Sequence, residues 1–119
     1  MTDHEYTFRS AIGGDVPKVT ALVHAAYGHY VERIGMVPRP MTDDYAQVIK
    51  NYQVTVAESH QSILGVIVLT VTDEGFLIDN VAVDPAYRGR GLGKALLEFA
   101  EAEAGVRGSI PFIYIRTKR

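Results

Sequence analysis

The chain contains no cysteine. That excludes disulfide staples, zinc–thiolate centres and a cysteine nucleophile. A basic excess is missing too: Lys and Arg number 12 against 14 Asp and Glu, a net charge of −2. A general nucleic-acid binder carries the opposite balance, so no nucleic-acid partner is expected. Nor is there a long apolar run. The longest, Ile63 to Val71, is interrupted by Gly65 and Thr70 and falls far short of a membrane span. The opening stretch, Met1 to Arg9, is polar and charged, unlike a secretory signal. A cytoplasmic protein with no membrane partner is the expectation. His24 and His29 are five positions apart and do not share a helix face, so no metal site is indicated.

What is present fits an ordinary globular protein. The 119 residues are 47% hydrophobic and 22% charged, enough for a single domain spanning 1–119 with a modest stability margin. Repeats, low-complexity tracts and linkers are absent.

Tyr6 to Arg9 alternates and predicts a short strand. Asp15 offers an N-cap, and Val16, Val19, Leu22, Val23, Ala26, Tyr27 and Tyr30 then recur at helical spacing, predicting a helix over 16–31. Gly35 to Pro40 forces a loop, and Thr42-Asp43-Asp44 offers caps for a second helix over 43–51. The period then falls to 2. Strands are predicted over 53–58, 65–72 and 76–83, with Glu74-Gly75 as a turn and Asp84-Pro85 as a stop. A helix over 91–104, ended by Gly105 and Gly108, precedes a last apolar strand over 110–115. The fold class expected is mixed α/β (α+β), order β-α-α-β-β-β-α-β. An antiparallel meander feeds a helix and then a parallel strand.

The chemistry concentrates at one place. Between the strand ending at Val83 and the next helix stands Arg88-Gly89-Arg90-Gly91-Leu92-Gly93-Lys94. A helix N-terminus has free backbone N–H groups and about half a unit of positive charge. Glycines let an anion approach those groups, and Arg88, Arg90 and Lys94 add side-chain charge. The ligand expected is a phosphate or pyrophosphate. A P-loop is excluded by spacing, because the residue five before Gly93 is Arg88 and Lys94 is followed by Ala95. A dinucleotide fingerprint fails at its third glycine, where Lys94 stands. The bland alternative is a tight turn with a helix cap and no ligand.

The segment from Val81 to Leu97 resembles the acyl-coenzyme A signature of the GNAT superfamily of N-acetyltransferases. That signature is Gln or Arg, two residues, Gly, one residue, then Gly or Ala, and Arg88, Gly91 and Gly93 meet it. The element order from residue 6 to 116 is also similar to the first five strands and three helices of that fold. The resemblance implies acetyl-CoA as cosubstrate, its pyrophosphate held by backbone N–H groups of Arg88, Gly89, Arg90, Gly91, Leu92, Gly93 and Lys94. It implies that the strand edge at Val81, Ala82 and Val83 holds the pantetheine arm, where the strand splays from the one that follows.

Transfer to an amine needs a base, and Asp79 is the candidate, sharing a face with Val81 and Val83 if period 2 holds. Asn80 cannot accept a proton, and Glu74 is read as a turn residue. In this superfamily the first helices and their connection cover the substrate mouth. Tyr27, Tyr30, Arg33, Met41, Asp44 and Tyr45 there mix aromatic surface with both charges, as a small polar substrate requires. For Tyr27 and Tyr30, core packing is the competing explanation. Family members continue with a further helix and two strands that carry the usual tyrosine acid; here the sequence stops at Arg119, with Tyr114 a weak substitute. The fold is therefore expected to be shortened at its C-terminus. The last strand is expected to pair with a second copy in a homodimer. The function implied is acetyl-CoA-dependent N-acetylation of a primary amine of a small molecule or peptide; the alternative is a non-catalytic acyl-CoA-binding protein or a truncated, inactive acetyltransferase.

Overall fold

The computed structural model describes residues 6–34, 39–72, 75–106 and 113–115. Its elements are β1 (Thr7–Ser10), α1 (Val16–Ile34), α2 (Tyr45–Asn51), β2 (Gln53–Ser59), β3 (Ser62–Thr72), β4 (Gly75–Val83), α3 (Leu92–Val106) and β5 (Ile113–Ile115). Short 3-10 turns stand at Gly13–Asp15, Arg39–Thr42 and Pro85–Tyr87. The strands form one sheet in chain order, antiparallel from β1 to β4, with β5 added parallel to β4. The order β-α-α-β-β-β-α-β is the one expected. No described helix is long and apolar enough to cross a membrane.

Each sheet face carries its own core. Val19, Leu22, Val23 and Ala26, spaced as one stripe of α1, pack with Tyr45 and Val48 of α2 against Val54, Val56, Val66, Val68 and Ala82. On the other face Leu92, Leu96 and Ala100 of α3 meet Ala57, Leu64, Ile67, Leu69 and Ile78. Covering on both sides explains why β3 is apolar almost throughout: Val66 and Val68 serve one core, Ile67 and Leu69 the other.

Several boundaries differ from the sequence expectation. β3 starts at Ser62 rather than at 65, because His60 and Gln61 take φ of 51° and 72° and close a two-residue hairpin without a glycine. α1 runs on to Ile34, α3 runs through Gly105 to Val106, and α2 starts at Tyr45 rather than at 43. Asp15 does not cap α1 as expected. Its carboxylate turns back to accept from the Ile12 N–H at 2.9 Å and pairs with Arg9 at 2.8 Å. The turn at Glu74 and the strand residues 110–112 lie outside the described residues.

One approach is unusually close. A Cβ on Gly65 would meet Leu96 Cδ1 at 3.0 Å, Leu92 Cδ2 at 3.2 Å and the Ala82 carbonyl at 3.3 Å. Glycine here lets α3 lie near the sheet, and that sets where the N-terminus of α3 stands.

Candidate functional site

β4 carries the site and then hands it to α3. At its end the Asp84 carboxylate accepts from the Ala86 N–H at 2.9 Å, starting the Pro85–Tyr87 turn. Gly89 and Gly91 follow with φ of +79° and +83°. These are left-handed conformations that glycine adopts without steric cost. The first helical bond of α3 runs from the Ala95 N–H to the Gly91 carbonyl, at 3.0 Å. The N–H groups of Leu92, Gly93 and Lys94 therefore precede the helical ladder and point out of the helix start.

Space is available in front of them. A Cβ built on Gly89 or Gly91 would meet no atom within 4 Å, while one on Gly93 would touch Val83 Cγ2 at 3.8 Å. The glycines at 89 and 91 are thus required by backbone conformation, and the volume beside them is open. These features fit a phosphate group: N–H groups at a helix start, open approach and nearby cations.

The individual side chains are more varied than the sequence indicated. Arg90 lies 5.1 Å above the Tyr87 ring, exposed on the turn. Arg88 donates to the Ala26 carbonyl of α1 at 2.9 Å, so its guanidinium ties the turn to that helix. Leu92 is 3% exposed and packs in the α3 core, so only its backbone faces the turn. Ala82 belongs to the α1 core, whereas Val81 and Val83 pack on the α3 side. Among the described residues β5 faces β4 only at Phe76, Leu77 and Ile78. No such pairing is described along 79–83.

Asp79 occupies a special position. Val68 faces Asn80 and Leu69 faces Ile78, so Asp79 is the additional residue of a β-bulge. The bulge breaks the period-2 argument. Ile78 packs on the α3 side together with Val81, although the two are an odd number of residues apart. Counting back from Val81 and Val83 therefore does not fix the side that Asp79 takes.

The residues expected at the acceptor side separate. Tyr45 is 2% exposed and its hydroxyl donates to the Pro40 carbonyl at 2.7 Å, so it is a core residue. Asp44 caps α2, accepting from the Ala46 N–H at 3.0 Å. Met41 packs against the α1 core. Tyr27 is half-buried, its hydroxyl 2.8 Å from Asn80 Oδ1 and 3.0 Å from the Val81 carbonyl. Tyr30 and Arg33 lie on α1, with their side chains outside the described part. Tyr114 lies opposite Leu77 in the β5 register, its side chain likewise outside it. Asn80, which cannot accept a proton, is 5% exposed and lies at the centre of these contacts. No local pattern in the sequence marks it.

Residues 50–118 match the family model described as an acetyltransferase (GNAT) domain. The fold is similar to PaiA N-acetyltransferase from Thermoplasma acidophilum, solved with coenzyme A. The TM-score is 0.76 at 14% identity, covering 92% of this chain and 76% of that one. It is similar to a GNAT family acetyltransferase from Brucella melitensis solved with acetyl-CoA, at TM-score 0.74 and 16% identity, covering 98% and 78%. The ribosomal-protein-S18-alanine N-acetyltransferase from Escherichia coli matches at TM-score 0.65 and 21% identity, covering 87% and 62%. No curated protein sequence gives a significant match. The family match covers more than half of the chain, and the chain belongs to the GNAT N-acetyltransferase family.

Proposed function

We propose that this acetyltransferase moves an acetyl group from acetyl-CoA to a primary amine of a small molecule or peptide. The observation that carries the reading is the start of α3. Leu92, Gly93 and Lys94 offer N–H groups before the first helical bond, beside open space, in a segment that carries Arg88, Arg90 and Lys94. Backbone groups of residues 88–94 would hold the pyrophosphate, and the β4 edge at Val81 to Val83 the pantetheine arm. Acetyl-CoA supplies the acetyl group as an activated thioester.

Asp79 is the proposed base. It stands at the bulge, where β4 leaves regular pairing close to the edge that would hold the thioester end. The relatives solved with coenzyme A or acetyl-CoA support the cosubstrate, and the alanine N-acetyltransferase supports an amine acceptor. For assembly, no strand pairs with the outer edge of β5 among the described residues, which supports a homodimer through that edge. Solution scattering at high concentration tests it, and a monodisperse monomer would count against it.

The decisive experiment is titration with acetyl-CoA followed by a thiol-release assay over a panel of amines and peptide N-termini. Saturable binding with amine-dependent thiol release is expected. Binding without release from any amine would favour a non-catalytic acyl-CoA-binding role, and absence of binding would remove both.

A further inference from the structure

Tyr45 and Tyr27 are joined through the buried Asn80 into one hydrogen-bonded chain. The Tyr45 hydroxyl lies 2.7 Å from the Pro40 carbonyl and 2.9 Å from Asn80 Nδ2. A phenol has one proton, and the Pro40 carbonyl can only accept, so the proton lies towards Pro40. The Tyr45 oxygen must then accept from the Asn80 amide nitrogen. That fixes which way the amide faces and turns Oδ1 to Tyr27, whose hydroxyl reaches it at 2.8 Å. The same hydroxyl lies 3.0 Å from the Val81 carbonyl; both partners accept, so its one proton is shared between them in a three-centre bond. Asn80 and Tyr45 are 5% and 2% exposed, so a lost bond here would not be replaced freely by water.

The placement gives this chain of contacts a use. Asn80 follows directly on the bulged Asp79, and β5 faces β4 only up to Ile78 among the described residues. Along 80–83, β4 is held by β3 on one side and by these side chains from α1 and α2. The residue before Tyr27 contributes as well, because Ala26 accepts from Arg88 at 2.9 Å. Consecutive residues of α1 thus hold both the β4 edge and the phosphate turn. Because α1 packs over a face of the sheet, Tyr27 reaches the Val81 carbonyl from that face. A carbonyl has a second lone pair, which stays available to a ligand lying along the strand edge.

We infer that Tyr27 and Asn80 are positioning residues for the pantetheine arm: the chain Pro40–Tyr45–Asn80–Tyr27 fixes the Val81 carbonyl and the course of β4 beyond its bulge. The inference rests on the proposal that Val81 to Val83 hold that arm. A ligand bound through main-chain groups gains affinity when those groups are already in place.

The test uses two ligands: coenzyme A, and the nucleotide fragment of coenzyme A that ends at its pyrophosphate and lacks the arm. Tyr27→Phe keeps the ring and removes the hydroxyl. Calorimetric titration is expected to show coenzyme A affinity falling by about fivefold, the effect of one ordinary hydrogen bond, with fragment affinity unchanged. Asn80→Ala is expected to show the same selectivity with a larger loss and a lower melting temperature. Equal losses for both ligands, or an unchanged coenzyme A affinity in Tyr27→Phe, would overturn the positioning role while leaving the phosphate turn standing. Failure of the unmodified protein to bind the fragment would instead overturn the reading of the turn, and the inference with it.

Discussion

At the scale of single residues, Gly91 separates conformation from binding. Its φ of +83° strains any side chain, yet the space beside it is open. Gly91→Asp should therefore cost only about 1–2 kcal/mol of stability, the left-handed penalty, since no atom is in the way. It should also abolish acetyl-CoA binding by setting a carboxylate against the phosphates. Calorimetric titration with a parallel thermal melt measures both, and retained affinity in a folded variant would refute the turn as the phosphate site. Asp79→Asn addresses the chemistry. If Asp79 is the base, amine-dependent turnover falls by about 10²-fold or more with little change in acetyl-CoA affinity. Turnover within a fewfold of the unmodified protein would move the base elsewhere. The glycine turn was legible in the sequence because every part of it lies within a few neighbouring positions. Asn80 was not, because its partners Tyr27 and Tyr45 stand 53 and 35 residues away.

The elements themselves were legible where a period was strong. The stripe of Val19, Leu22, Val23 and Ala26 marked α1, and the unbroken apolar run marked β3. What local pattern cannot carry is register. The bulge at Asp79 exists only in the pairing of β4 with β3, and it reverses the face assignment that period 2 predicts for the residues before it. The hairpin at His60 and Gln61 was hidden for another reason, since neither residue is a usual left-handed turn former. Gly65 shows how packing between elements reaches the site. Its missing Cβ leaves room for Leu92 and Leu96, and Leu92 is the first residue of α3. Gly65→Ala should cost about 1–3 kcal/mol as overpacking. If the relief comes from a shift of α3 rather than from its leucine side chains turning, acetyl-CoA affinity should weaken as well. Urea denaturation and titration on the same variant test this; a stability loss with unchanged affinity would show that Leu92 and Leu96 adjust without moving the helix start.

For the molecule as a whole, the edge of the sheet opposite the site is fastened electrostatically. Arg9 on β1 pairs with Asp15 ahead of α1 and with Glu58 on β2, each at 2.8 Å, and Asp15 also accepts from the Ile12 N–H. The hydrogen bond from Arg9 lowers the pKa of Asp15 below its ordinary carboxylate value and does the same for Glu58, while both acids raise that of Arg9. Arg9 therefore stays charged as the solution is acidified, and the carboxylates set the pH dependence. A depressed carboxylate pKa means that the contribution is complete above the unfolded value and is lost as the pH falls through the folded one. Arg9 is 31% exposed, so solvent screens the pair, and Asp15→Asn should cost about 1–2 kcal/mol at neutral pH. The difference from the unmodified protein should shrink as the pH falls below the ordinary carboxylate range and Asp15 itself becomes protonated. β1 lies three strands from β4, with β2 and β3 between them. The folded variant should accordingly bind acetyl-CoA with unchanged affinity at neutral pH. Urea denaturation at neutral pH and along a series of acidic pH values, with one titration at neutral pH, decides the matter. A stability gap that stays constant on acidification would mean that the loss does not come from the charge of Asp15, since asparagine keeps an acceptor for the Ile12 N–H. A loss of affinity would mean that this far edge and the cofactor edge are mechanically coupled through the sheet.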